Sequence, residues 1–126
     1  MITGVHFLLH SADAEADRAF FRDVLQFRAI DAGGGWLIFA LPPAELGIHP
    51  ASGGVVQRDA EHDLAGAMMY VMCDDLQSTI KSLKARHVEC TEVQKAEWGL
   101  TTTIRLPSGI LIGLYEPRHP TALALG

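Results

Sequence analysis

One order of signals runs through this chain twice. The alternating segment Val5-His6-Phe7-Leu8-Leu9-His10 leads into Asp13 and a helical pattern. About 60 residues later, Met68-Met69-Tyr70-Val71-Met72-Cys73 leads into Asp74 and a second helical pattern. The turns repeat too. "GGGW" in the first half stands where "AEWG" stands in the second, and "LPPAELGIHP" where "LPSGILIGLYEP" does. Several signals agreeing in order mark a duplicated supersecondary unit, which few folds accommodate.

Each copy reads β-α-β-β-β. In the first, Asp13 is the expected N-cap, with Glu15 and Asp17 in the positive first turn. The helix is predicted to run to about Phe27, with Ala16, Phe20 and Val24 as its apolar stripe. A weaker strand at Phe27–Ala32 and strands at Trp36–Leu41 and Glu45–His49 follow. In the second copy, Asp74 with Gln77 at N3 forms a variant capping box, and Leu76, Ile80, Leu83 and His87 fall at helical spacing. Strands are predicted at Val88–Val93, Thr101–Leu106 and Ile110–Tyr115. The fold expected is an α+β domain of paired βαβββ modules, whose curved mixed sheets form a cleft if their faces curl together. Module one is 4–50, a polar surface linker is 51–66, module two is 67–118, and a loosely packed tail is 119–126.

Composition closes off other classes. The chain has 126 residues, enough for one domain, and a net charge of −5 with no basic stripe, which argues against nucleic acid or an anionic membrane as partner. No apolar run approaches the roughly 18 residues of a membrane span, and the first residues lack the basic region of a secretory signal. Two cysteines, Cys73 and Cys90, suit neither a disulfide scaffold nor a zinc motif, and a cytoplasmic protein with reduced thiols is expected. Gly33–Gly35 precede a strand, not a helix, so they form a turn and not a phosphate loop.

Strand alternation assigns faces. Val5, Phe7 and Leu9 are expected to meet a helix, as are Leu46 with Ile48, and Ile110 with Ile112 and Leu114. The opposite faces carry His6, His10, Glu45, His49, Met68, Tyr70 and Tyr115. With Trp36, these make a mixed aromatic and polar lining of the kind small-molecule sites use. Trp36 and Trp98 hold equivalent places in the two halves, where each either stacks on a planar ligand or closes the core. Arg118 and His119 read as surface residues.

The segments "VHFLLHSADAEADRAFFRDVLQF", "WLIFALPPAELGIHP", "YVMCDDLQSTIKSLKARHVE" and "LPSGILIGLYEP" resemble the vicinal oxygen chelate superfamily of glyoxalases, extradiol dioxygenases and bleomycin and fosfomycin resistance proteins. The resemblance implies a homodimer. It also implies four metal-ligand positions, which fall on His6, Glu45, Met68 and Gly113. Two of these carry a suitable donor. Gly113 has no side chain, and a thioether such as Met68 suits a hard or borderline ion poorly. His10 and His49 are the available substitutes. Two functions are therefore carried forward. One is small-molecule binding without a complete metal site, with no cofactor, by His10, Trp36, His49, Met68, Tyr70, Trp98 and Tyr115. A planar or cationic ligand suits that acidic, aromatic lining, and His6 and Glu45 supply any acid-base chemistry. The other is a divalent-metal-dependent glyoxalase-like lyase or dioxygenase using His6 and Glu45. A purely dimeric scaffold is a third outcome.

Overall fold

A computed structural model describes residues 1–125 of the chain. The architecture is α+β, with two helices and several small open sheets. Two compact units divide it: Met1–Leu41 with Leu106–Ile110, and Pro42–Arg105 with Leu111–Gly126.

In the first unit, helix α1 spans Ala14–Asp23. Asp13 caps it as expected, its side chain accepting from the Ala16 N–H at 3.2 Å. The helix ends earlier than the reading to Phe27, because Gln26 turns left-handed at φ 60°. Its buried face is Asp17, Phe20 and Phe21, so Phe20 belongs to the stripe while the flanking positions shift. Phe21 packs on Phe27 and Phe39 at centroid distances of 5.6 and 5.8 Å. Strands β1 (Ala29–Asp31) and β2 (Leu37–Phe39) pair antiparallel. The glycine turn between them is held by Asp31, whose carboxylate accepts from Gly33 N–H at 2.7 Å and Gly35 N–H at 3.2 Å. All three glycines have positive φ, which explains the composition of that turn. Buried Asp17 accepts from Ser11 Oγ at 2.7 Å and from the Ser108 N–H at 2.9 Å, joining α1 to segment 106–110.

The second unit completes the β-α-β-β-β order. Strand β5 (Tyr70–Met72) leads into helix α2 (Leu76–Ala85). Strands β6 (Gln94–Ala96), β7 (Gly99–Arg105) and β8 (Leu111–Pro117) then form a sheet in the order β5-β8-β7-β6, with β5 and β8 parallel. Asp75, not Asp74, caps α2. Its extended backbone aims the side chain at the Ser78 N–H, 3.1 Å away. Glu116 adds a second acceptor at that helix end, taking the Leu76 N–H at 3.1 Å. Leu76 and Leu83 are buried, as are Ile104, Ile112 and Leu114, two of the three residues assigned inward on the last strand; the third, Ile110, precedes the strand and is 38% exposed. The strand expected at Val88–Val93 is reduced to a bridge between Cys90 and Ile104, and the pairing falls at β6 instead.

Three further expectations differ from the structure. Segments 4–10 and 45–49 form no strand among the described residues. Val5, Leu46 and Ile48, read as helix-facing, are 77%, 79% and 88% exposed. Alternation supplies a strand's face but not its ladder partner, and without a neighbouring edge the backbone groups go to water. The segment read as a linker contains a hairpin, β3 (Val56–Asp59) with β4 (His62–Ala65). Its two-residue turn puts Ala60 and Glu61 at φ 46° and 67°, a conformation usually announced by Asn-Gly or Asp-Gly, and so it escapes a sequence reading. The tail read as loosely packed makes a short 3-10 turn at Leu123–Leu125 and folds back on the second unit. Its last residue, Gly126, lies outside the described residues.

Candidate binding face

Register builds the aromatic face of the second unit. In the parallel pair β5–β8, Tyr70 stands opposite Gly113. A Cβ on Gly113 would lie 2.2 Å from Tyr70 Cδ1 and 2.4 Å from Cε1, so the ring occupies the space a side chain would need. From that seat Tyr70 meets Trp98 and Tyr115 edge to face, at 5.9 and 5.6 Å between centroids. Trp98 and Tyr115 close the triangle at 5.2 Å and 70°. Perpendicular rings place the positive edge of one against the negative face of another. Tyr115 is the floor at 6% exposure, while Tyr70 and Trp98 keep 44% and 43% of their surface open.

A polar corner adjoins the rings. His119 stacks on Tyr115 at 5.9 Å and 18°, and its Nε2 is 3.1 Å from the Tyr115 hydroxyl. Its Nδ1 is 2.8 Å from the Pro120 carbonyl, which can only accept, so Nδ1 carries the proton. Nε2 pairs with the Tyr115 hydroxyl, a group that can either donate or accept in that contact. Burial, then the charge of Glu45, then Tyr70, hold the Tyr115 phenol above its ordinary range, so it keeps its proton. Glu45 lies alongside, its Oε2 4.0 Å from His119 Nε2 and its Oε1 accepting the Ala122 N–H at 2.8 Å. His119 is thus no surface residue: it is half-buried. Its one sequence hint is the bracketing by Pro117 and Pro120, which stiffens the turn that folds the tail back.

The remaining candidates are described each in its own unit. His6, His10 and Trp36 belong to the first unit, where both histidines lie in the exposed segment without strand pairing. Trp36 is covered by the Arg18 guanidinium, 4.5 Å above its ring. His49 is exposed, with Nδ1 2.7 Å from its neighbour's carbonyl at Pro50. Met68 is 85% exposed, so it does not join the rings. Cys73 and Cys90 are half-buried thiols, each pushed up chiefly by burial.

Of the four metal-ligand positions that the resemblance implies, two carry a suitable donor, His6 and Glu45, and these belong to different units. Among the described residues, no three His, Cys, Asp or Glu side chains converge. The decisive position is Gly113, where the ligand's space is filled by the ring of Tyr70.

The repeated helix-and-sheet order and the mixed four-stranded sheet define an α+β class of protein. The chain belongs to the Glyoxalase/Bleomycin resistance protein/Dioxygenase superfamily, whose family model matches residues 4–114. The resemblance read from the sequence is thereby borne out. Among solved structures it is similar to TnmS3, an antibiotic binding protein from Streptomyces sp. CB03234, at 21% identity and a TM-score of 0.60, covering 92% of this chain and 97% of that one. It is also similar to a lactoylglutathione lyase from Agrobacterium tumefaciens, at 17% identity and a TM-score of 0.61, covering 90% and 92%. A third is FosX, a genomically encoded fosfomycin resistance protein from Listeria monocytogenes, at 16% identity and a TM-score of 0.55, covering 92% and 94%. At these identities the likeness is one of fold. No curated protein matches the chain.

Proposed function

We propose that this protein binds a small organic molecule on the face formed by Tyr70, Trp98 and Tyr115, with Glu45 and His119 as its polar partners, and does so without a complete metal centre. The observation that carries the reading is the seat of Tyr70 on Gly113. It puts an aromatic surface where a metal-dependent relative needs a donor. The antibiotic-binding function in the name of TnmS3 supports the same class of role. Rings that hold each other edge to face are rigid, so a flat ligand loses little by stacking on them. His6, His10 and Trp36 of the first unit are left out of this reading, as are His49 and Met68, exposed residues of the second.

The competing reading, a metal-dependent lyase or dioxygenase, draws on the lactoylglutathione lyase neighbour and on Glu45. Two measurements separate them. Purified protein incubated with Zn²⁺, Ni²⁺ or Mn²⁺ and desalted is expected to retain far less than one ion per chain by elemental analysis. In a Trp36→Phe variant, where Trp98 is the remaining tryptophan, benzylamine is expected to quench the fluorescence saturably, and Tyr70→Ala to abolish that binding. One tightly held ion per chain, lost in Glu45→Ala or His6→Ala, would replace this reading with the enzyme.

The reading includes a homodimer in the cytoplasm. Segments 4–10 and 45–49 carry apolar residues in the open and lack a strand partner, and a second copy of the chain can supply both the cover and the ladder. Light scattering is expected to give twice the 13.7 kDa chain mass. No helix among the described residues is long and apolar enough to cross a membrane.

A further inference from the structure

The Glu45 carboxylate is already answering a donor, and the donor comes from the chain's own tail. Its side chain is 20% exposed, and among the described residues the one hydrogen bond made to it is from the Ala122 N–H to Oε1, at 2.8 Å. Oε2 lies 4.0 Å from His119 Nε2, beyond hydrogen-bond distance, and that nitrogen is itself engaged by the Tyr115 hydroxyl at 3.1 Å. A half-desolvated carboxylate can only accept, so the complement of this corner is a donor, and of donors a cationic one gains most. Tyr115, whose phenol feels the Glu45 charge, is met by the part-open rings of Tyr70 and Trp98, and aromatic rings also favour positive charge. The tail satisfies one oxygen with a neutral amide and leaves the second acceptor unanswered.

Resting on the aromatic face as the binding face, we propose that residues 120–125 act as an internal stand-in for the ligand. In this arrangement the Ala122 N–H holds the place of the ligand's own donor, and the ligand is an organic ammonium bearing at least one N–H beside an aromatic ring. Binding displaces the tail from Glu45. The tail is an intramolecular competitor, so the measured affinity is the intrinsic one reduced by the fraction of chains with the corner open. No bond is made or broken; one hydrogen bond is exchanged for a charged one.

Two variants remove the competitor while leaving His119 in place: Ala122→Pro, which deletes the N–H, and truncation after Thr121. Both are made in the Trp36→Phe background, with circular dichroism confirming the fold. Benzylamine and benzyltrimethylammonium are titrated against Trp98 fluorescence, since they share ring and charge but only the first has N–H groups. Both variants are expected to bind benzylamine about tenfold more tightly than the parent, the scale of one hydrogen bond to a charged group. The parent is expected to prefer benzylamine over benzyltrimethylammonium, and Glu45→Gln to remove that preference. Unchanged or weakened benzylamine binding in both variants overturns the stand-in role, while the aromatic face stands if Tyr70→Ala still abolishes binding. Equal binding of the two amines overturns the N–H donor as the recognised group. Absence of quenching by either amine in every variant overturns the binding face itself, and this inference with it.

Discussion

Placing a methyl group on Gly113 tests the aromatic face directly. In Gly113→Ala the new Cβ would sit 2.2 to 2.8 Å from three atoms of the Tyr70 ring, distances no real pair of carbons keeps. The strand backbone is held by its ladder on both sides, so the ring has to swing out. Tyr70 then loses its edge-to-face contacts with Trp98 and Tyr115. At about 0.5–1.5 kcal/mol per aromatic pair, the loss is about 1–3 kcal/mol. Replacing glycine within a strand returns roughly 0.5–1 kcal/mol through the unfolded chain. The net expectation is destabilisation by about 0.5–2 kcal/mol, a fall in Tm of a few degrees for a domain of this size. Urea unfolding with fluorescence and circular dichroism as probes measures it. A double-mutant cycle with Tyr70→Ala isolates the cause, because in the Tyr70→Ala background the methyl group finds open space and its cost disappears. Equal stability of Gly113→Ala and the parent, or full additivity in the cycle, would refute the claim that the ring is seated on this residue.

Other consequences follow from the same structure. Asp17→Ala is expected to lose about 1–3 kcal/mol in urea unfolding, because the Ser108 N–H and Ser11 hydroxyl lose their buried acceptor. In a Tyr70→Phe variant, absorbance at 295 nm follows Tyr115 alone and is expected to titrate above the ordinary phenol value of about 10. Glu45→Gln is expected to lower that midpoint. The sign for stability follows. Between the unfolded and folded values the unfolded chain has lost a proton the native one keeps, so Tyr115's contribution falls as pH rises above about 10. Cys73 and Cys90, both raised chiefly by burial, are expected to react with a disulfide reagent at neutral pH more slowly than a free thiol does. Reaction at the rate of free cysteine would contradict their burial.

Much of the second unit was legible in the order of residues. Period-2 and period-3.6 patterns place β5, α2, β7 and β8, and Ile112 and Leu114 point inward as their alternation demands. Capping by neighbouring aspartates is a choice between backbone geometries, so a sequence reading selects the right turn and the wrong residue at Asp75. Of the proposed lining, Tyr70, Trp98 and Tyr115 meet one another and Glu45 adjoins His119, whereas His49 and Met68 of the same unit stay exposed and His6, His10 and Trp36 belong to the other, because facing says nothing about which segments pair. His119 carries no periodic signal at all. It reaches the rings by a turn between two prolines, and a turn's direction is a property of three-dimensional packing.

By itself, the sequence determined the duplicated pattern, the α+β class and the absence of a donor at position 113, since local periodicity and side-chain chemistry are written residue by residue. Only the tertiary structure decided what stands in that donor's place. The parallel register of β5 on β8 seats Tyr70 on Gly113, and the returning tail brings His119 and Ala122 to Tyr115 and Glu45. Contacts between residues so far apart in sequence follow from ladder register and chain reversal, which no local pattern encodes.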